Sequence, residues 1–121
     1  MDLSSNELGY LDSHAHINLL HDSPAELAIA LKQKRVKWVV VPGFDFKTSQ
    51  EAVELAKNYA WILPAAGIHP HDAFPDWSSS LYFIREKAIN REIIAIGEIG
   101  LDGVRSNSLP QHQTALFEAQ L

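Results

Sequence analysis

A chain of 121 residues, 46% apolar and with a net charge of −5, can bury one core and is read as a single domain over residues 1–121. It contains no cysteine, which excludes a disulfide framework and a thiolate metal site, so any bound metal must take imidazole, carboxylate and water. The acidic balance argues against gripping nucleic acid by charge alone, and the longest apolar runs, such as Trp38–Val41, fall far short of the ~20 residues that span a bilayer.

The chain opens with Asp2 and Glu7 and has no basic or apolar leader there, so a cytoplasmic protein with no membrane segment is expected. The first strand is predicted over Tyr10–Ile17. It carries His14 and His16, which a period of two would place on one face, where both imidazoles can reach one ion. A pair of hydrogen-bonded core histidines is the alternative. A helix over Pro24–Lys34 follows, announced by the capping box Ser23-Pro24-Ala25-Glu26 with proline at its first turn. The basic cluster Lys32, Lys34, Arg35 and Lys37 closes that helix, where cations complement the dipole.

The second strand, Val36–Val41, is β-branched and almost wholly apolar, as expected of a strand buried on both faces. A second capping box, Thr48-Ser49-Gln50-Glu51, predicts the next helix, with Ala52, Leu55, Ala56 and Tyr59 as its apolar stripe. The third strand is predicted over Trp61–Ile68, with Pro64 counting against it. A helix over Ser78–Asn90 has Leu81, Ile84 and Ala88 on one face, and a fourth strand is predicted over Glu92–Ile99. Ser108-Leu109-Pro110-Gln111 predicts a third cap of the same type and a helix running to Leu121.

Strict alternation of strand and helix implies an α/β fold: a parallel sheet with right-handed crossovers. Four βα units are half of a (β/α)8 TIM barrel, which takes about 250 residues. The chain is therefore expected to be the N-terminal half of such a barrel, truncated after the fourth unit.

In parallel folds reactive groups gather at the carboxyl ends of the strands. On this reading that rim carries His14 and His16, Asp45, His69 and His71, Glu98 and Asp102, whereas the junctions around Arg35, Ala60 and Arg91 carry nothing comparable. Glu98 lies among Ile, Ala and Gly, where an unpaired carboxylate is costly to bury; a metal or a basic partner would remove that cost. His69 and His71 are read as substrate-side groups, although Pro70 prevents strand periodicity from aiming both inward. Asp102 can orient a ligand or cap a turn with Gly103, and His21 and His112 are read as surface residues.

Asp12-Ser13-His14-Ala15-His16, then Gly67-Ile68-His69-Pro70-His71-Asp72-Ala73, then Ala95-Ile96-Gly97-Glu98-Ile99-Gly100-Leu101-Asp102 resemble the successive signatures of the TatD family of metal-dependent hydrolases. Gln113, Phe117, Gln120 and Leu121 resemble the helix that follows the glutamate motif there. The resemblance implies a metal-dependent hydrolase barrel acting as a deoxyribonuclease or phosphodiesterase. By it His14 and His16 hold one divalent ion (zinc, manganese or magnesium), Glu98 is catalytic and bridges to a second ion, and His69 and His71 approach the DNA phosphate. It also implies two further histidines and an aspartate from later strands, none of which this chain reaches. Gly103-Val104-Arg105 departs from the family, where aromatic residues often follow the glutamate motif.

Two other functions fit the same residues. One is a hydrolase of the same fold acting on an ester, amide or small phosphate. The other is a non-catalytic, metal-binding half-barrel that forms a homo-oligomer through its open sheet edges.

Overall fold

The structure, a computed structural model, describes residues 8–105 and 107–121; the opening stretch with Asp2 and Glu7 lies outside them. Four parallel strands lie in chain order: β1 (Tyr10–Asp12), β2 (Val36–Pro42), β3 (Ile62–Ala66) and β4 (Ala95–Ile96). Helices α1 (Pro24–Gln33), α2 (Phe46–Asn58) and α3 (Ser78–Ile89) connect them, and α4 (Pro110–Gln120) follows β4. This is the expected half-barrel.

Val39 and Val41 on β2 are buried with Ile17, Ala52 and Ile62, packed against Leu27 and Leu31 of α1 and Leu55 of α2. Each such valine contributes about 1.5–3 kcal/mol by leaving water. Trp38, alternating with them, is on the opposite face and 44% exposed. A second cluster (Ala66, Ile68, Ala73, Ile84 and Leu116) joins β3 to α3 and α4.

The strands are shorter than their apolar runs. β1 stops at Asp12 instead of Ile17, because the Asp12 carboxylate accepts the His14 N–H at 3.0 Å and turns the chain out of the ladder. Ala15 still donates to the Val40 carbonyl, and a 3-10 turn at Ile17–Leu19 follows. His14 and His16 are therefore just beyond a strand and not on it. β4 is reduced to Ala95–Ile96, with Gly97 N–H bonded to the Ala66 carbonyl as its last tie to β3. Pro64 fits inside β3, because its carbonyl faces β4 and accepts from Ile94. The N–H it lacks would point the same way, just before the β3–β4 pairing begins at Ala65–Ala95.

The Ser23 capping box forms as predicted. The second does not: α2 starts earlier, with Asp45 as N-cap and Thr48 as its reciprocal partner, so Glu51 plays no part in it. An aspartate three residues before Thr48 supplies the stronger acceptor. Leu109 stands at the N-cap of α4 without a side-chain bond, and Ser108 donates instead to the Pro70 carbonyl. At the other end of the sheet, Arg35 and Arg91 take positive φ of 60° and 58° and end the helices that lead into β2 and β4. Among the described residues no helix is long and apolar enough to cross a membrane.

Asp45→Ala should cost about 1 kcal/mol of stability through loss of the α2 cap. Urea denaturation measures it, and an unchanged midpoint would remove the cap from the account.

Candidate metal centre

The extended residues after β1 and β4 bring three donors together. Nε2 of His14 lies 2.7 Å from Oε1 of Glu98, Nε2 of His16 lies 3.2 Å from the same oxygen, and the two imidazole nitrogens are 3.2 Å apart. Two ligands held about 2.1 Å from one ion stand roughly 3.0–3.4 Å apart, so the triangle is near the size an ion requires. The protonation pattern agrees. Nδ1 of His16 is 3.1 Å from the Pro42 carbonyl, to which only an N–H can donate. In neutral imidazole that leaves Nε2 as a lone pair facing a carboxylate oxygen, an arrangement a cation relieves. The residues present fit a metal.

β2 and β3 set the cluster's position. Glu98 N–H donates to the Gly43 carbonyl at 2.7 Å, and the Gly97–Glu98 peptide is cis. Gly67 lets that peptide approach: a Cβ there would stand 2.5 Å from the Gly97 carbonyl carbon. Phe44 meets the His16 ring edge-on at a centroid distance of 5.6 Å. The cluster opens outward, with side-chain exposures of 53% for His14, 28% for His16 and 23% for Glu98.

His69 and His71 occupy the adjoining mouth, a cavity of about 380 Å³ also lined by Phe44, Asp72 and Glu98. Pro70 starts a 3-10 turn, Pro70–Asp72, which folds the two rings against each other at a centroid distance of 4.3 Å. Nδ1 of His69 accepts the His71 N–H, and Nε2 of His71 is 2.7 Å from Oδ2 of Asp102. Asp102 caps the turn, since its Oδ1 accepts from Val104 and Arg105, while its Oδ2 meets His71. Asp45 is a helix cap, which takes it out of the set of rim ligands. His21 is exposed and His112 half-buried, both away from the cluster's donor set.

Asp72 is a site residue that sequence reasoning gave no role. Burial pushes its carboxyl above the usual range, Asp45 adds to the rise, and His69 and His71 oppose it. Its place in the turn after Pro70 was the available signal.

A parallel half-barrel with two imidazoles and a carboxylate converging at the carboxyl ends of its strands is the layout of metal-dependent barrel hydrolases. Comparison with known proteins identifies the family. The model of TatD related DNases matches residues 11–121, and the chain belongs to that family. It is 36% identical over 112 residues to the uncharacterized metal-dependent hydrolase YabD of Bacillus subtilis, covering 91% of this chain and 44% of YabD. To the 3'-5' ssDNA/RNA exonuclease TatD of Salmonella typhimurium it is 42% identical over 87 residues, covering 71% of this chain and 33% of that protein. The crystal structure of YJJV, a TatD homolog from Escherichia coli K12, superposes with a TM-score of 0.74 at 27% identity, over 92% of this chain and 44% of that one. The chain thus spans between a third and a half of the length of these relatives.

The N–H groups of Arg105 and Val104, with His71, hold the Asp102 carboxyl down at about 2. A carboxyl depressed in the folded state stabilises fully above its unfolded value, about 3.9, and that contribution is lost as pH falls through the folded value. The Asp102 side-chain carbon should therefore titrate near 2 by NMR, and Asp102→Asn should flatten the pH dependence of stability between those limits. A midpoint near 4 would show that the turn does not hold the carboxylate.

Proposed function

We propose that this chain is the N-terminal half of a two-metal phosphodiesterase that acts on DNA, with the remaining barrel strands supplying the other ligands. The observation that carries this is the convergence of His14, His16 and one oxygen of Glu98 within 3.2 Å, with His16 oriented from behind by a backbone carbonyl. Support comes from the family and from the names of its members, one a metal-dependent hydrolase and another an exonuclease on single-stranded DNA and RNA.

His14 and His16 would hold the first ion. Both imidazoles meet one oxygen of Glu98, and on that ground we assign Glu98 the catalytic position, as a residue that would help hold both ions. His69 and His71 line the mouth beside it and would take the substrate phosphate. With Asp72 in the same mouth and a net charge of −5, an anionic strand needs cations to approach. When bound by these residues, a divalent ion, whether zinc, manganese or magnesium, would supply Lewis acidity for phosphodiester hydrolysis. The residues themselves fix its place and hold the phosphate end of the strand.

Titration calorimetry with zinc or manganese should detect binding by this chain, weakened more than about 100-fold in His14→Ala, His16→Ala and Glu98→Gln, since losing a mere outer-shell partner already costs 10–100-fold. Equal affinity in all three variants would place the metal elsewhere. For the activity, the full-length protein is assayed with manganese on single-stranded DNA beside a panel of esters and amides. Nucleotide release is expected; ester or amide turnover without it would transfer the assignment to another hydrolase of this fold.

A further inference from the structure

Two of the three loops that carry the candidate chemistry, those after β3 and β4, are not held by a strand ladder where it matters. The loop with His69 and His71 begins after β3 ends at Ala66, and the loop with Glu98 and Asp102 begins after β4 ends at Ile96. α4 ties both. Gln113, 4% exposed, accepts the Asp102 N–H at 2.8 Å and donates to the Asp102 carbonyl at 3.1 Å and the Ser108 carbonyl at 3.4 Å. Two turns on, Gln120 does the same for Ile68, accepting its N–H at 2.8 Å and donating to its carbonyl at 3.1 Å. Leu116, between the two glutamines, is buried in the apolar cluster beneath the loops.

Glutamine suits this task because one flat group offers both a donor and an acceptor, enough to close both backbone groups of a loop residue. The consequence at Asp102 is chemical as well as structural. Gln113 fixes its backbone, and the N–H groups of Val104 and Arg105 fix Oδ1. Oδ2 is then committed to Nε2 of His71, 2.7 Å away. An ionised carboxylate only accepts, so Nε2 carries the proton and Nδ1 is the nitrogen left for the substrate side.

We propose that Gln113 is a positioning residue for His71, acting through Asp102: the buried amide fixes the Asp102 backbone, and the carboxylate sets the tautomer and tilt of the imidazole. This rests on the assignment of His71 to the substrate side. Among the described residues, His69, in ring contact with His71, and Asp72 and Glu98, in the same cavity, are the other titratable groups that face it.

The test is the imidazole proton–nitrogen NMR spectrum of this chain at neutral pH, which requires neither metal nor turnover. In the parent protein His71 should show one form, protonated at Nε2. In Gln113→Leu that signature should be lost to averaging between tautomers, as in Asp102→Ala. Gln113→Glu is the closer isostere, keeping the acceptor for the Asp102 N–H and losing the donor to its carbonyl, and it should do the same. Ile84→Val, a small change in the same apolar cluster, should leave His71 as in the parent. Folded Gln113 variants with the parent His71 spectrum overturn the proposal, as does an equal change in Ile84→Val. Failure of the full-length protein to release nucleotides would count against the phosphodiesterase assignment and leave the tautomer result standing.

Discussion

All four strands run the same way, since each is joined to the next through a helix that packs back on the sheet, and the geometry of the site depends on that constraint. Parallel pairing sends every strand's carboxyl end to one rim, so His16 and Glu98, 82 residues apart, meet at 3.2 Å. At the opposite rim lie the ends of the connecting helices, two of them terminated by arginines at positive φ. An antiparallel arrangement would have divided the same donors between two ends of the sheet.

Early strand endings give the loops freedom, and side chains from the helices take over the hydrogen bonding that the ladder gives up. Ser49 of α2, fully buried, bonds both the N–H and the carbonyl of Gly67 at 3.2 Å. Gln120 and Gln113 of α4 do this for Ile68 and Asp102. An unpaired buried backbone group costs about 1–3 kcal/mol, which is why each of these polar side chains is worth burying. Close approach completes the arrangement. Gly43 has its own hydrogen-bonded contacts under Glu98, and a side chain on it would collide with Ser49.

Electrostatics at the rim divides the acids by what they face. Asp102, among N–H donors and beside His71, is held ionised, while Asp72, half-buried near Asp45, is pushed the other way. Glu98 faces two imidazole nitrogens and one open side. A mouth lined by these carboxylates favours cations over anions.

Much of the fold was legible in the chain. Apolar runs alternating with helical stripes gave the four units, the Ser23 box gave the start of α1, and the two His-x-His pairs with Glu98 marked the rim. These features depend on near neighbours in the sequence, where period and capping act. The rest was decided at a distance. The first strand ends at Asp12 because it has one neighbour and a carboxylate free to turn on the backbone; the second cap belongs to Asp45, whose acceptor won over that of Thr48. Ser108 read as a helix cap and Gln113 and Gln120 as positions of the family's helix, with no partner visible for any of them, yet they bond Pro70, Asp102 and Ile68, partners 38, 11 and 52 positions away. The sequence by itself determined the order of the strands and helices and that the two His-x-His pairs and Glu98 stand near strand ends, because periodicity and capping are local. Only the tertiary structure decided how they are held, because a loop's backbone takes its hydrogen bonds from whatever the packing brings beside it.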